Sequence, residues 1–432
     1  MENVFILKAL KCLTLAAMHN GTVITLFSLG LLAQADKVLE TVKISNQMNE
    51  LQAILEGFES SQKIGKITFL ATVVKTQGST YRRPGAKLLM TNTGEMIGTI
   101  SAGCLENDVF EHTQQRMSDG EPIVVTYDNT ASEDILWGFG LGCNGIVQVL
   151  IERLERKNTP NAIAFTRECF NKKHLGIIAT VFASEDAVKV KLGSRLLLYP
   201  NGKTITDIKD PNLIQSLLAD SQAAFANQKS KVNNYHLPLG SVEVFIEVIQ
   251  PPTPLVIFGA GYDAVPVAQF AQSLGWDVTV VDCRANEATK ARFTMPCNVI
   301  LTRREIVQKQ IFIDAYTVAV VMTHNYLDDL EILKMLLPSP ARYIGVLGPK
   351  PRTERLLEDL RSQEIVYTTE QLKRLHGPIG IDIGADTPEG IAIAIIAEIQ
   401  AVLTNRSGGF LKNRNQPIHQ SYESNSNLLL TT

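Results

Sequence analysis

The sequence predicts an α/β protein, with a doubly wound parallel sheet at the C-terminal end and a smaller α+β domain before it. Three observations carry this expectation. After the stiff run Pro251-Pro252-Thr253-Pro254, short unbroken apolar segments alternate with helix-period segments, the pattern of parallel strands buried on both faces. The first of those segments ends in Gly259-Ala260-Gly261, where glycine permits a tight strand-to-helix turn. Upstream, residues 67–154 read mostly as short β-branched strands around polar turns.

Residues 1–47 are an extension that matches nothing downstream. Lys8 and Lys11 precede an apolar run over 22–33, and Ala33-Gln34-Ala35 imitates the cleavage site of a secretory signal. The run is shorter than the ~20 apolar residues that a membrane span needs. The competing reading is a translation start at Met48, preferred because nothing downstream looks secreted. Residues 48–155 then form the first domain. Apolar residues at 51, 54, 55 and 58 open an amphipathic helix. Strands are expected at 67–74, 87–90 and 95–100, the last two flanking the turn Asn92-Thr93-Gly94. A helix over 105–116, a strand at 123–127, a glycine-rich segment over 138–145 and a strand at 146–151 follow. The charged stretch 152–158, with Pro160 behind it, marks a boundary.

Residues 156–250 form a middle α+β region. Strands are expected near 177–182 and 242–249, a hairpin at Asn201-Gly202 and a helix near 213–225, with no chemical motif among them. In residues 251–404, strands at 255–258, 278–281, 299–301, 318–322 and 344–347 alternate with helices at 264–274, 328–337 and 352–360. A last helix starts at Thr387-Pro388, where Thr suits the N-cap and Pro the first helical position. The tail, 405–432, is polar and is expected to be disordered.

Composition narrows the function. Of 432 residues, 45% are hydrophobic and 20% charged, so a real core can be buried and a wholly disordered chain is excluded. A net charge of −3 supplies no basic field for nucleic acid or an anionic membrane. The six cysteines are scattered without a C-x-x-C pair, against both a disulfide framework and structural zinc. No H-E-x-x-H, Walker A or Ser-His-Asp motif is present.

Several constellations remain. Gly259-Ala260-Gly261-Tyr262-Asp263-Ala264 links a strand to a helix, and Asp282 closes the next strand. Glycine lets phosphate approach the backbone, the helix start offers unpaired amides, and the acid can accept from ribose hydroxyls; the alternative is a vestigial site on the same Rossmann-type sheet. Gly78-Ser79-Thr80-Tyr81-Arg82-Arg83-Pro84-Gly85-Ala86-Lys87 gathers glycine amides, hydroxyls and cations that suit an anion, or a solvated turn. Ser101-Ala102-Gly103-Cys104-Leu105-Glu106 enters a helix and has a possible counterpart in Gly140-Leu141-Gly142-Cys143-Asn144-Gly145. Either thiol can serve as a nucleophile or soft metal ligand, or pack as a small hydrophobe. Met322-Thr323-His324-Asn325 ends a strand at the ligand-binding edge of such sheets, where His324 is an acid/base or ligand-bonding candidate, or a cap for the next helix. The segment 380–389, with Gly384, leads into the last helix N-terminus.

Together, QGSTYRRPGAKLLM, GTISAGCLEND and GLGCNG resemble the N-terminal domain of the XdhC/CoxI family of molybdenum-cofactor maturation proteins, the xanthine dehydrogenase accessory factors. FGAGYDAVPVAQFAQSLGWDVTVVDCR, MTHNYLDDLEILKMLL, ARYIGVLGPKPRTERL and GIDIGADTPEGIAIAIIAEI resemble its C-terminal Rossmann domain. The resemblance covers roughly 48–155 and 253–404. It implies a cytoplasmic, non-catalytic chaperone that binds molybdenum cofactor (molybdopterin) as cargo, protects it during sulfuration and inserts it into a xanthine-dehydrogenase-type molybdenum hydroxylase. A cysteine desulfurase is the implied sulfur donor, and a homo-oligomer stays open. The residues it carries over are Gly78, Ser79, Arg82, Arg83, Gly85, Cys104, Glu106 and Cys143 in the first domain. In the second they are Gly259, Gly261, Asp282, His324, Asp329 and Gly384, with Cys104 the candidate metal ligand. Departures from the family pattern are Tyr81, Ser101-Ala102, Asn144, Tyr262 and Gly390. The competing class is an NAD(P)-dependent oxidoreductase that uses the same glycine turn with His324 as acid/base.

Overall fold

Three sheets organise the described residues, and the first two share one plan. The computed structural model describes residues 50–415 except 102, 104, 116–119, 129–144, 156–159, 186–187, 189, 285–286 and 296. The extension 1–47, Cys104, Cys143, the glycine-rich stretch up to 144 and the end of the tail lie outside the described residues.

The first module runs α1 (Glu50–Lys63), β1 (Thr68–Gly78), β2 (Lys87–Thr91), β3 (Met96–Gly98), α2 (Glu106–Gln115), β4 (Ile123–Asp128) and β5 (Gly145–Leu154). Its sheet is antiparallel, in the order β3-β2-β1-β5-β4. The second runs α3 (Ala162–Asn171), β6 (Gly176–Ser184), β7 (Arg195–Leu198), β8 (Thr204–Thr206), α4 (Pro211–Asn227), β9 (Lys231–Leu237) and β10 (Gly240–Ile249), in the order β8-β7-β6-β10-β9. The middle region thus repeats the first domain strand for strand.

The repetition extends to single bonds. Gly85 N donates to Val73 O at 2.8 Å, and Gly193 N to Val181 O at 2.9 Å; both glycines have positive φ. Val74 and Phe182 are each skipped in the pairing of their strand with β5 or β10, and both enter the cluster where the sheets meet. Leu70 and Leu89 pack under α1 as Ile178 and Leu197 pack under α3. Lys87 pairs with Glu247 across the junction, and Arg195 pairs reciprocally with Glu152, all four side chains largely buried. The two halves are related as subunits of a two-fold dimer would be.

The third sheet is wholly parallel. It is built from β11 (Pro254–Phe258), β12 (Asp277–Asp282), β13 (Asn298–Leu301), β14 (Val318–Val321), β15 (Tyr343–Val346) and β16 (Leu375–His376), in the order β13-β12-β11-β14-β15-β16. That is the Rossmann order, with the chain reversing direction of growth between β11 and β14. Helices α5 (Ala264–Ser273) and α10 (Pro388–Leu403) cover one face, while α7 (Tyr326–Leu336) and α8 (Lys350–Ser362) cover the other. The short α6 (Val307–Gln310) and α9 (Thr369–Leu372) complete the helices described there. The expected α/β class and parallel sheet are therefore present. Five strands and α-helices were not expected: α3, the polar edge strand β9, the short helices α6 and α9, and the two-residue β16. The strand expected at 95–100 stops at Gly98, because the following backbone is drawn to Glu106 instead of a neighbouring strand. Past 404 the described chain includes a 3-10 turn, Leu411–Asn413.

Candidate functional site

In the first module, the motif segments gather at one end of the sheet. Gly78 closes β1 in register with Gly145, which opens β5. A Cβ on Gly145 would stand 2.6 Å from the carbonyl oxygens of Gln77 and Ser79, so the two segments touch through bare backbone. Glu50 ties the next loop in: Oε2 accepts from Arg82 Nη2 at 2.5 Å, and Oε1 from the Thr99 amide at 2.8 Å. Arg82 is thereby committed to holding loops together. The Arg83 side chain has no hydrogen-bond or ion-pair partner among the described residues, and its Nε is buried. Ser79 is exposed. Gly85 has its geometric double in Gly193, so its conformation is accounted for by the module plan.

Glu106 is the centre of this end. One oxygen accepts from Thr99 Oγ1 (2.6 Å), Ile100 N (3.1 Å) and Ser101 N (3.0 Å). The other accepts from Ser101 Oγ, Gly103 N (3.0 Å) and Leu105 N (3.2 Å). Burial pushes its carboxyl up, but the hydrogen bonds from Ser101 and Thr99 outweigh that and bring the pKa to about 2. The Gly103 amide is given to this carboxylate, and the Leu105 amide is shared between it and Ser101 Oγ at 2.8 Å, so residues 103 and 105 are both tied to the helix start. Cys104 and Cys143 themselves lie outside the described residues.

In the parallel sheet, candidates converge where the strand order reverses. Gly259 has φ +117°, and a Cβ there would stand 2.3 Å from Met322 O, so the turn after β11 lies directly on the turn after β14. At Gly261 a Cβ would meet the carboxylate tip of Asp263 at 2.4 Å, with the His324 ring in ordinary contact at 3.7 Å. Asp263 occupies the N-cap of α5 yet makes no capping bond; its Oδ2 lies 2.7 Å from His324 Nε2. His324 is 57% exposed and left-handed (φ +59°), and Asn325, not His324, caps α7. Tyr262, 75% exposed, carries the Arg292 guanidinium 4.5 Å from its ring centre.

Asp282 ends β12 and is nearly fully buried, with Arg284 bound to both carboxylate oxygens. Asp329 is buried under the opposite loop, accepting from Thr323 Oγ1 (2.5 Å) and Arg352 Nη2 (2.7 Å). Gly384 sits in an exposed segment with φ +68° and nothing against it. Glu398 on α10 holds the start of that segment, accepting from Gly380 N, His376 Nδ1 (2.6 Å) and Tyr343 OH (3.0 Å). Burial alone would raise its pKa, and these bonds hold it below the usual carboxylate range.

Sequence reasoning missed Glu50, Glu398 and the arginines 284, 292, 303 and 352. Arg284 and Arg303 had a usable signal, since each falls two residues beyond a parallel strand; Arg292, in a 3-10 turn, Arg352, inside α8, and the two glutamates had none. Among the described residues no group of three or more His, Cys, Asp or Glu is placed to hold a metal ion. The described thiols are packing residues: burial pushes Cys169 up to about 12 and, with Asp328 and Asp282 nearby, Cys283 up to about 11. Among the described residues no helix is long and apolar enough to cross a membrane.

Comparison with known proteins matches residues 255–399 to the XdhC Rossmann domain and residues 63–128 to the XdhC and CoxI family. The chain is 32% identical over 351 residues to a protein of Bacillus subtilis described as a probable xanthine dehydrogenase subunit, covering 81% of this chain and 95% of that one. It is 21% identical over 339 residues to the molybdenum cofactor insertion chaperone PaoD of Escherichia coli, covering 78% and 84%. A crystal structure described as a xanthine dehydrogenase from Bacillus halodurans superposes with a TM-score of 0.67 at 26% identity, over 83% of this chain and 97% of that one. With both domain types matched in order and one relative covered almost end to end, the chain belongs to the XdhC and CoxI family.

Proposed function

We propose that this protein binds molybdenum cofactor, shelters it while its terminal sulfur is installed, and delivers it to a xanthine-dehydrogenase-type hydroxylase in the cytoplasm. The observation that carries the proposal is the contrast between the two modules. They share strand order, core positions and junction, but the first has more sequence between two pairs of matching elements, residues 99–105 and 129–144, where the second has only 207–210 and Pro238-Leu239. Sequence added to one copy of a duplicated scaffold is where a cargo-specific site belongs, and Glu50 and Glu106 hold Thr99 and Ser101 at the start of the first added segment. The donor set suits the cargo: the Arg83 guanidinium has no partner among the described residues and is available to an anion, and Cys104, two residues before Glu106 in the sequence, is a soft ligand type for molybdenum or sulfur. The relatives' names point the same way. In this reading a cysteine desulfurase supplies the sulfur.

The test is to purify the full chain from cells that make the cofactor, identify the pterin that co-purifies, and measure transfer into apo-hydroxylase. Co-purified pterin that restores hydroxylase activity is the expected result. Protein free of pterin and inactive in transfer refutes the proposal. A second reading, an NAD(P)-dependent oxidoreductase, is favoured by the His324–Asp263 pair at the strand reversal, an acid/base couple beside the glycine turn. Steady consumption of NADPH with a carbonyl substrate, lost in His324→Gln, would favour that reading.

A further inference from the structure

The acid that ends β12 usually accepts from the two hydroxyls of a ribose. Here it is occupied. Asp282 Oδ1 accepts from the Arg284 amide at 2.8 Å and from Arg284 Nε at 3.2 Å, and Oδ2 faces Arg284 Nη2 at 3.3 Å. A diol would have to displace a guanidinium held by both oxygens. The Arg284 side chain is itself 56% exposed, so its outer donors remain available.

The neighbouring strand adds charge at the same edge. Leu301 is the register partner of Asp282, and the Thr302 amide donates to Asp282 O at 3.0 Å. The next residue, Arg303, is exposed, and its side chain has no hydrogen-bond or ion-pair partner among the described residues. Arg304 is spent on Asp328, 3.2 Å away. Asp282 offsets Arg284, and Glu305 and Asp328 flank Arg304, which leaves Arg303 as the guanidinium of this edge without a carboxylate partner among the described residues.

We propose that the carboxyl edge of β12 and β13 is a phosphomonoester site, with Arg284 and Arg303 as its specificity-determining residues. Two guanidinium groups match the terminal oxygens of a phosphate dianion and gain nothing from an uncharged diol. The site rests on the reading that the Rossmann cleft holds a phosphate-bearing ligand, and it says which end of that ligand is charged. A 2′-phosphorylated dinucleotide and a pterin ending in phosphate share this chemistry.

The experiment titrates the full chain with NADP+ and NAD+, which differ only in the 2′-phosphate, and with the pterin cofactor in its phosphate-terminated and nucleotide-extended forms. The preferred phosphomonoester ligand is expected to bind at least tenfold tighter than its counterpart lacking one. Arg303→Ala should lower that preference several-fold. Arg284→Ala, which uncovers Asp282, should erase it and strengthen NAD+ binding. Arg303→Ala leaves no buried charge behind and should fold. Arg284→Ala leaves the buried Asp282 on its amide bond, so its melting curve is measured alongside, and Arg284→Lys, which keeps one charge but not the fork, should show a reduced preference in a stable background. A preference only in the dinucleotide arm assigns the site to a nucleotide, and only in the pterin arm to cofactor phosphate. Equal affinities in both arms, or a preference unchanged in Arg284→Ala, overturns the proposal. Failure of the carrier reading shows separately, as a wild-type chain that binds neither pterin form while the dinucleotide arm still reports on the edge.

Discussion

Replacing Glu106 by Gln is the sharpest test of how the first module holds its loop. The carboxylate accepts hydrogen bonds from Thr99, Ile100, Ser101, Gly103 and Leu105, and its pKa falls from 4.5 to about 2. That difference corresponds to ~3 kcal/mol favouring the charged form in the folded state. Because the folded pKa is depressed, the contribution is complete above about pH 4.5 and is lost as pH falls toward 2. Glutamine keeps one acceptor oxygen and turns an NH2 group toward amides that themselves donate, leaving buried donors unsatisfied at ~1–3 kcal/mol each. Glu106→Gln should therefore lose ~3 kcal/mol at pH 7 by chemical denaturation, and faster hydrogen exchange should appear at Ser101, Gly103 and Leu105. Between pH 5 and 3 the variant should lose less stability than the wild type, because this carboxylate no longer titrates. A variant with wild-type stability at pH 7 and the wild-type slope over that window would refute the assignment.

Three other outcomes are expected. Gly259→Ala drives a Cβ into Met322 O at 2.3 Å and should destabilise the Rossmann domain by ~3 kcal/mol or more, whereas Gly261→Val meets a movable Asp263 side chain. The latter should melt near wild type yet bind a phosphate-bearing probe at least tenfold more weakly, ~1.4 kcal/mol, by calorimetry. Arg195→Met strands Glu152 at the module junction and should cost ~3 kcal/mol, most of it recovered in the Arg195→Met/Glu152→Met double variant, measured by urea denaturation. Cys104→Ser should keep its melting curve while losing most cofactor transfer, and Cys143→Ser should be affected less; full transfer by a well-folded Cys104→Ser protein would return that thiol to the core.

The parallel sheet was legible because its strands are buried on both faces and read as unbroken apolar runs, as in residues 255–258 and 318–321. The duplication was not legible. Its signature is a shared pattern of burial, with Leu70 matched by Ile178 and Leu89 by Leu197, while the surface residues between them differ. β9, with Asn233, Asn234 and His236, is an edge strand whose polar outer positions hide its period. Gly259, Gly261, Asp282 and His324 were legible as types at a turn. That Asp282 is already held by Arg284, and His324 by Asp263, depends on side-chain directions that spacing does not encode. Glu50 lies 32 residues from Arg82 and 49 from Thr99, a connection only the folded chain makes.

The reciprocal pairs Lys87–Glu247 and Arg195–Glu152 have a consequence for how such a protein can change. In a true homodimer every substitution is made twice, so a loop cannot lengthen on one side without lengthening on the other. Joining the halves in one chain ends that constraint and replaces a concentration-dependent association with an intramolecular one, at millimolar or higher effective concentration. One half is then free to experiment while the other keeps the seam shut at any dilution. Transplanting residues 99–105 into the place of 207–210 would ask how much of that freedom the second half retains.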